Sequence, residues 1–220
     1  GLGLRFNWNA ALAQNPFDNN SIYFGSQFVH RSKDKGQNWE IISPDLTTND
    51  SVKIKASAQS GGLTKDVTQA ENFNSILCIA PSTFDKNILW VGTDDGNLQL
   101  TTDGGKTWTN LAARLPEYPA GSWIPQIELS SIDSNVVFVV VNNYRRNDWN
   151  PYVYHTSDAG KTWSRIVDEK QVKGHALSIV QDLVEPNLLF LGTDYGLYFS
   201  IDKGQNWNKW NDNFPSVSVR

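Results

Sequence analysis

Short apolar runs punctuate the chain at wide, regular intervals: Ile22-Tyr-Phe-Gly25, Leu89-Trp-Val-Gly92, Val137-Phe-Val-Val-Val141 and Leu189-Phe-Leu-Gly192. Their length and their wealth of β-branched and aromatic residues predict central β-strands. Before each stands a turn segment rich in Pro, Asp, Asn and Ser: Pro16-Phe-Asp18-Asn-Asn, Pro81-Ser-Thr-Phe-Asp85-Lys-Asn, Ser131-Ile-Asp133-Ser-Asn and Glu185-Pro186-Asn187. No segment sustains a helical period, so the chain is expected to be all-β.

After each run comes the same octet. Ser32-Lys-Asp34-Lys-Gly36-Gln-Asn-Trp39 recurs as Thr101-Thr-Asp103-Gly-Gly105-Lys-Thr-Trp108, Thr156-Ser-Asp158-Ala-Gly160-Lys-Thr-Trp163 and Ser200-Ile-Asp202-Lys-Gly204-Gln-Asn-Trp207. The carboxylate can accept bonds from backbone N–H groups of its own turn, the glycine supplies a positive φ, and the tryptophan is expected to plug an interface. These residues therefore have a structural role. The aspartates stand 69, 55 and 44 residues apart, and the shortest interval matches the ~40–45 residues of a four-stranded propeller blade. The pattern predicts a β-propeller of four-stranded antiparallel blades, at about 4–43, 72–111, 122–167 and 174–212, with an inserted loop at 44–71. Propellers close with about 4–8 blades. Four blades are expected to form an arc completed by further sequence or another chain; a self-contained four-bladed ring is the alternative.

With strands A to D counted outward from the axis, the octets are C-to-D turns, on the rim away from the usual ligand face. The two largest insertions fall on the opposite rim, where repeat scaffolds usually carry binding chemistry. One is the D-to-A connection from Ser43 to Asn74, which holds Asp66 and Glu71. The other is the B-to-C loop Asn142 to Pro151, with Tyr144, Arg145, Arg146, Asp148 and Trp149, a mix suited to stacking on sugar rings and forking onto hydroxyls or carboxylates. Asp94 and Asp194 occupy equivalent B-to-C positions, and Glu117, Tyr118, Trp123 and His175 lie in the remaining D-to-A loops. Glycoside hydrolysis takes paired carboxylates across a cleft. Asp66, Glu71, Asp94 and Asp194 are thus the catalytic candidates, and Tyr144, Arg145, Arg146, Asp148, Trp149 and Trp123 the ligand-binding ones.

Composition narrows the chemistry. Nineteen basic residues against 23 acidic, interspersed, give a net charge of -4 and no basic stripe to neutralise phosphates, so nucleic acid is not an expected partner. The apolar runs are too short to span a bilayer. His30, His155 and His175 are scattered, and neither a phosphate loop nor a serine elbow occurs, so no metal or cofactor is expected. The lone Cys78 cannot form an intrachain disulfide and is expected to be a small buried residue. The chain contains no Met and opens on Gly1, from which processing or a longer N-terminal portion is expected.

Across all 220 residues the chain resembles secreted bacterial BNR-repeat proteins of the glycosyl-hydrolase-like or sortilin (Vps10)-like kind. Beyond the octets, or Asp boxes, the likeness rests on Arg5-Phe-Asn-Trp8-Asn, Ile42-Ser-Pro-Asp45-Leu-Thr47, Gly61-Gly to Glu71-Asn72, Trp90-Val-Gly-Thr-Asp-Asp-Gly96 and Tyr144-Arg to Asp148. It implies the latter part of the propeller region of a longer, exported protein, secreted, periplasmic or at the cell surface. Asp-box propellers include sialidases, xyloglucan-type endoglucanases, sortilin-type peptide receptors and a photosystem II assembly factor. The segment lacks a sialidase Phe-Arg-Ile-Pro motif, a second propeller to complete an endoglucanase cleft, and sortilin's cysteine-rich module. The expected partner is a glycan or polysaccharide, bound or cleaved, with a protein or peptide ligand as the alternative.

Overall fold

Strands form where the apolar runs lie, because each run pairs on both sides through its backbone while its side chains enter a core. The computed structural model describes residues 3–59 and 72–220; Asp66 and Glu71 lie outside them. Four antiparallel four-stranded sheets result, each a simple meander. The first holds β1 (Leu12–Gln14), β2 (Ile22–Gly25), β3 (Val29–Ser32) and β4 (Glu40–Ile41); the second β5 (Ile76–Pro81), β6 (Leu89–Thr93), β7 (Leu98–Thr101) and β8 (Thr109–Asn110). In the third run β9 (Trp123–Leu129), β10 (Val137–Asn143), β11 (Asp148–Thr156) and β12 (Ser164–Arg165), and in the fourth β13 (Ala176–Gln181), β14 (Leu189–Thr193), β15 (Gly196–Ser200) and β16 (Asn208–Lys209). These are the blades of a β-propeller fold.

The chain divides into two compact units, residues 1–112 with 120–124 and residues 113–119 with 125–220. Each has its own core. In the first unit Ala11, Tyr23, Val29, Leu46, Ile76, Ile79, Leu89 and Val91 are buried together. In the second, Phe138, Val140 and Val153 meet Ala176, Ile179, Leu189, Leu191, Tyr198 and Trp207, so neighbouring blades share one apolar layer.

That sharing depends on size matching where a B-strand meets the next A-strand. A methyl added at Gly25 would lie 2.8 Å from Ile76 Cγ2, one at Gly92 would lie 2.6 Å from Ile124 Cγ2, and one at Gly192 would overlap Val219 O. At the aligned position of the third blade stands Val140, and its counterpart in the next blade is Ala176 instead of isoleucine; both are fully buried in one cluster. Two seams thus set a glycine against an isoleucine, Gly192 packs against the Val219 backbone, and the third seam inverts the pairing.

The Asp boxes repeat to within tenths of an ångström. Asp103 Oδ1 accepts from Thr107 N at 2.9 Å and from Thr101 Oγ1 at 2.8 Å, its Oδ2 accepts from Thr107 Oγ1 at 2.6 Å, and Gly105 N donates to Thr101 Oγ1 at 3.0 Å. Asp34, Asp158 and Asp202 make the same set. Two consecutive residues adopt positive φ in each turn, Lys35-Gly36, Gly104-Gly105, Ala159-Gly160 and Lys203-Gly204. The first of each pair donates its N–H across to the A-to-B turn of its own blade, to Asn20 O, Asn87 O, Asn135 O and Asn187 O, at 2.8–3.0 Å. One rim of every blade is therefore stapled.

Three sequence expectations need correction. Residues Ser51–Gln59 form a helix, α1. Asp50 caps it, accepting from Val52 N at 3.0 Å and Lys53 N at 3.1 Å, and its lack of an apolar stripe hid it from a search by periodicity. The box tryptophans are not uniformly interface plugs: Trp39, Trp108 and Trp163 fold back to donate Nε1–H to the glycine carbonyl of their own turn, and Trp39 is 43% exposed. Trp207 is buried, donating instead to Ile166 O at 2.7 Å. Cys78 is half-buried, its Sγ 3.4 Å from Ile124 O.

Candidate functional site

In the second and fourth blades the hairpin pairing brings the residue before strand A opposite the residue after strand B. Ile76 pairs with Thr93 and Ala176 with Thr193, so Ser75 faces Asp94 and His175 faces Asp194. The same backbone position thus carries two different chemistries.

In the second blade the position is sealed. Asp94 is completely buried, with Ser75 N donating to its Oδ1 at 2.9 Å and Ser75 Oγ 2.7 Å from Oδ2. Burial, reinforced by the neighbouring Asp95 charge, pushes the Asp94 carboxyl up to about 8, against the pull of the Ser75 bonds. Ser75 Oγ has one proton for two acceptors, Asp94 Oδ2 at 2.7 Å and Asn72 O at 3.1 Å. Asp95 accepts from Thr48 N, Thr48 Oγ1 and Asn74 Nδ2 through Oδ2 and from Thr93 Oγ1 through Oδ1. These carboxyls are spent on tying the inserted loop to the blade, and a substrate cannot reach Asp94.

In the fourth blade the position is open. Asp194 lines a cleft of about 510 Å³ together with Trp149, Lys173, Gly174 and Tyr195. Trp149 and Tyr195 are 51% and 59% exposed. Behind the carboxylate, His175 Nδ1 lies 3.4 Å from Asp194 Oδ1; the two atoms are buried, and neither makes a hydrogen bond. Burial lowers the His175 pKa, Asp194 raises it, and the Arg220 charge lowers it again, for a net downward shift. Gly174 has φ +80°, and a methyl there would overlap Asp194 Oδ1, so only glycine lets the carboxylate sit against the backbone.

The third blade supplies the cleft's wall. The insertion expected as an open loop is mostly strand, β10 and β11 closing through a 3-10 turn at Tyr144–Arg146 and Asn147 in the left-handed region. Asp148 holds this hairpin together: it accepts from Asn143 Nδ2 at 3.0 Å, Tyr152 OH at 2.9 Å and Asn150 N at 3.2 Å. Burial alone would raise its pKa; the Asn143 and Tyr152 bonds outweigh that and lower it. So braced, Tyr144 stacks on the His175 ring with centroids 4.7 Å apart, Trp149 meets it edge-on at 5.6 Å, and Tyr144 and Trp149 are 5.9 Å apart. The Arg145 guanidinium lies 5.0 Å from the Tyr144 ring centroid, and Arg146 Nη1 donates to Asn143 Oδ1 at 3.2 Å.

Of the candidates, the structure brings Tyr144, Arg145, Trp149 and Asp194 to one place and gives Asp148 a bracing task within its hairpin. Trp123 begins β9, in the other unit from the cleft. Glu117 lines a different groove beside the Asp-box rim, with Arg165, His155 and Lys203. Sequence reasoning left His175 isolated and passed over Lys173. The signal for His175 was present: aligned by repeat, it takes the place of Ser75 and so must face Asp194. Among the described residues no His, Cys, Asp and Glu cluster could hold a metal ion, and no helix is long and apolar enough to cross a membrane.

Comparisons with known proteins bear on the fold. Residues 99–110 match the model of the BNR/Asp-box repeat. No curated protein matches the chain by sequence. Among solved structures, an ancestral GH74 enzyme superposes with a TM-score of 0.68 at 19% identity, covering 97% of this chain and 25% of that one. The GH74 xyloglucanase from Xanthomonas campestris gives 0.66 at 18%, covering 92% and 30%. YCF48 from Cyanidioschyzon merolae gives 0.56 at 14%, covering 97% and 59%. The chain thus spans about a quarter of the length of the first of these enzymes. It carries four Asp boxes on a β-propeller fold, one of them matching the BNR/Asp-box repeat, and is similar in architecture to GH74 enzymes.

Proposed function

We propose that this chain is the glycan-binding part of an exported, glycosyl-hydrolase-like Asp-box propeller, and that its ligand lies in the cleft at Trp149, Tyr195 and Asp194. The observation that carries this is the pairing of two large, half-exposed aromatic faces with one backed carboxylate on the rim opposite the Asp boxes. Aromatic rings bury the apolar face of a sugar, while a carboxylate accepts from its hydroxyls. A flat polar groove would offer neither.

The chemistry supported is retention of a sugar rather than its cleavage. Hydrolysis takes two carboxyl groups about 5–9.5 Å apart, and the residues lining this cleft include one, Asp194. Isothermal titration of the intact chain with a xyloglucan heptasaccharide and with galacturonan oligomers tests the proposal. Binding of either should be lost in Trp149→Ala and reduced about tenfold in Tyr195→Ala, the scale of one removed stacking contact. Binding that survives Trp149→Ala at full strength would place the ligand elsewhere.

A further inference from the structure

Charge around the cleft does not follow the charge of the chain. The protein carries a net -4, yet positive groups approach the cleft from three separate segments. Lys173 lines it, Arg145 lies over Tyr144 on the third blade's hairpin, and Arg220 acts on His175 from the C-terminal segment. That segment is held at the rim by Val219 N donating to Thr193 O at 2.9 Å. Lys173 is positioned, not loose: its backbone N donates to Tyr198 OH at 3.1 Å and its Nζ to Glu169 O at 3.0 Å, leaving two ammonium donors. Facing these groups, Asp194 is the acid of the cleft, and it has its own cation in waiting at 3.4 Å, the His175 ring.

From this placement we infer that the cleft selects an acidic glycan, one bearing uronate carboxylates, with a sugar ring on Trp149 and Tyr195 and a carboxylate answered by Lys173. The inference rests on the glycan-binding proposal and adds the ligand's charge. Aromatic faces accept any pyranose; the surrounding cations decide which. A protonated His175 neutralises Asp194 and so removes the repulsion that carboxylate would exert on an anionic ligand. The groups that face His175 are Asp194 from the β14–β15 turn and the Tyr144 and Trp149 rings from the third blade's hairpin, and the Arg220 charge also acts on it. By linkage, binding an anion must raise the His175 pKa, and affinity must rise as the pH falls.

Two probes separate the possibilities, trigalacturonate and a neutral xyloglucan heptasaccharide, titrated into the intact chain. Trigalacturonate should bind about tenfold more tightly than the neutral probe. That margin should shrink between about 20 mM and about 0.3 M salt and grow from about pH 8 to about pH 5. Proton NMR follows His175, one of three histidines, and its titration midpoint should move up on trigalacturonate and stay put on the neutral sugar. Lys173→Gln should remove most of the margin, and Lys173→Arg, which keeps the charge, should retain it. Equal affinities, or a margin insensitive to salt and to Lys173→Gln, would overturn the charge preference while leaving glycan binding intact. No binding of either probe would overturn both.

Discussion

Single carboxyl groups set the response of this protein to pH, in opposite directions. Four Asp-box carboxylates are held down to about 2, foremost by Asn38, Thr107, Thr162 and Asn206, through side-chain or backbone donors. Their stabilisation is present above the ordinary Asp value and is lost as the pH falls through about 2. Asp103→Asn should therefore flatten the acid limb of a thermal-stability profile and lower Tm by about 2–4 °C at neutral pH. Asp94 works the other way. Its pKa in the folded protein, about 8, lies above the unfolded one, so its contribution is complete at low pH and vanishes as the pH rises through about 8. Asp94→Asn is neutral in both the folded and the unfolded chain, so it should leave Tm nearly unchanged near pH 4 and raise it near pH 9.5, the gain growing between about pH 4 and about pH 8 and levelling off above. A Tm loss at both values would show that Asp94 is ionised when folded. Gly174→Ala tests the site itself: the added methyl must displace Asp194, so glycan binding should fall while the fold, read by far-UV circular dichroism, stays.

At the level of strands and turns, the seams between blades are the sharpest test. Gly25→Val should drive its branches into Ile76 and destabilise the first unit by about 1–3 kcal/mol. Adding Ile76→Ala should restore much of that loss, because the pair then copies Val140 and Ala176; a double variant no better than Gly25→Val would refute the matching. Much of this layer was legible in the sequence. Four apolar runs and four boxes at recurring positions announced the strands, since strand pairing and turn chemistry are local and repeat with the residues. What escaped needed contacts between distant residues. The Asn20, Asn87, Asn135 and Asn187 staples use backbone carbonyls, on which side-chain identity leaves little trace. Helix α1 lacks the stripe that marks a packed helix, leaving only its cap at Asp50. The site was half legible: Tyr144, Trp149 and Asp194 announced themselves as rim residues, but only the closing of β10 on β11 lays Tyr144 over His175.

For the molecule as a whole, near-identical repeats carry a hazard, since a blade's inner strand can settle against the wrong neighbour while the chain folds. The inverted seam at Val140 and Ala176 works against that error. Seated on the second blade, the fourth would bring Ala176 against Gly92 and leave a void about the size of a branched side chain; seated on the third, β9 would bring Ile124 against Val140 and find no room. A void and an overlap each cost a few kcal/mol, enough to bias sorting strongly toward the native order. One exchanged pair of small and large residues thus serves as a keyed joint, fixing among interchangeable-looking parts where the fourth blade docks.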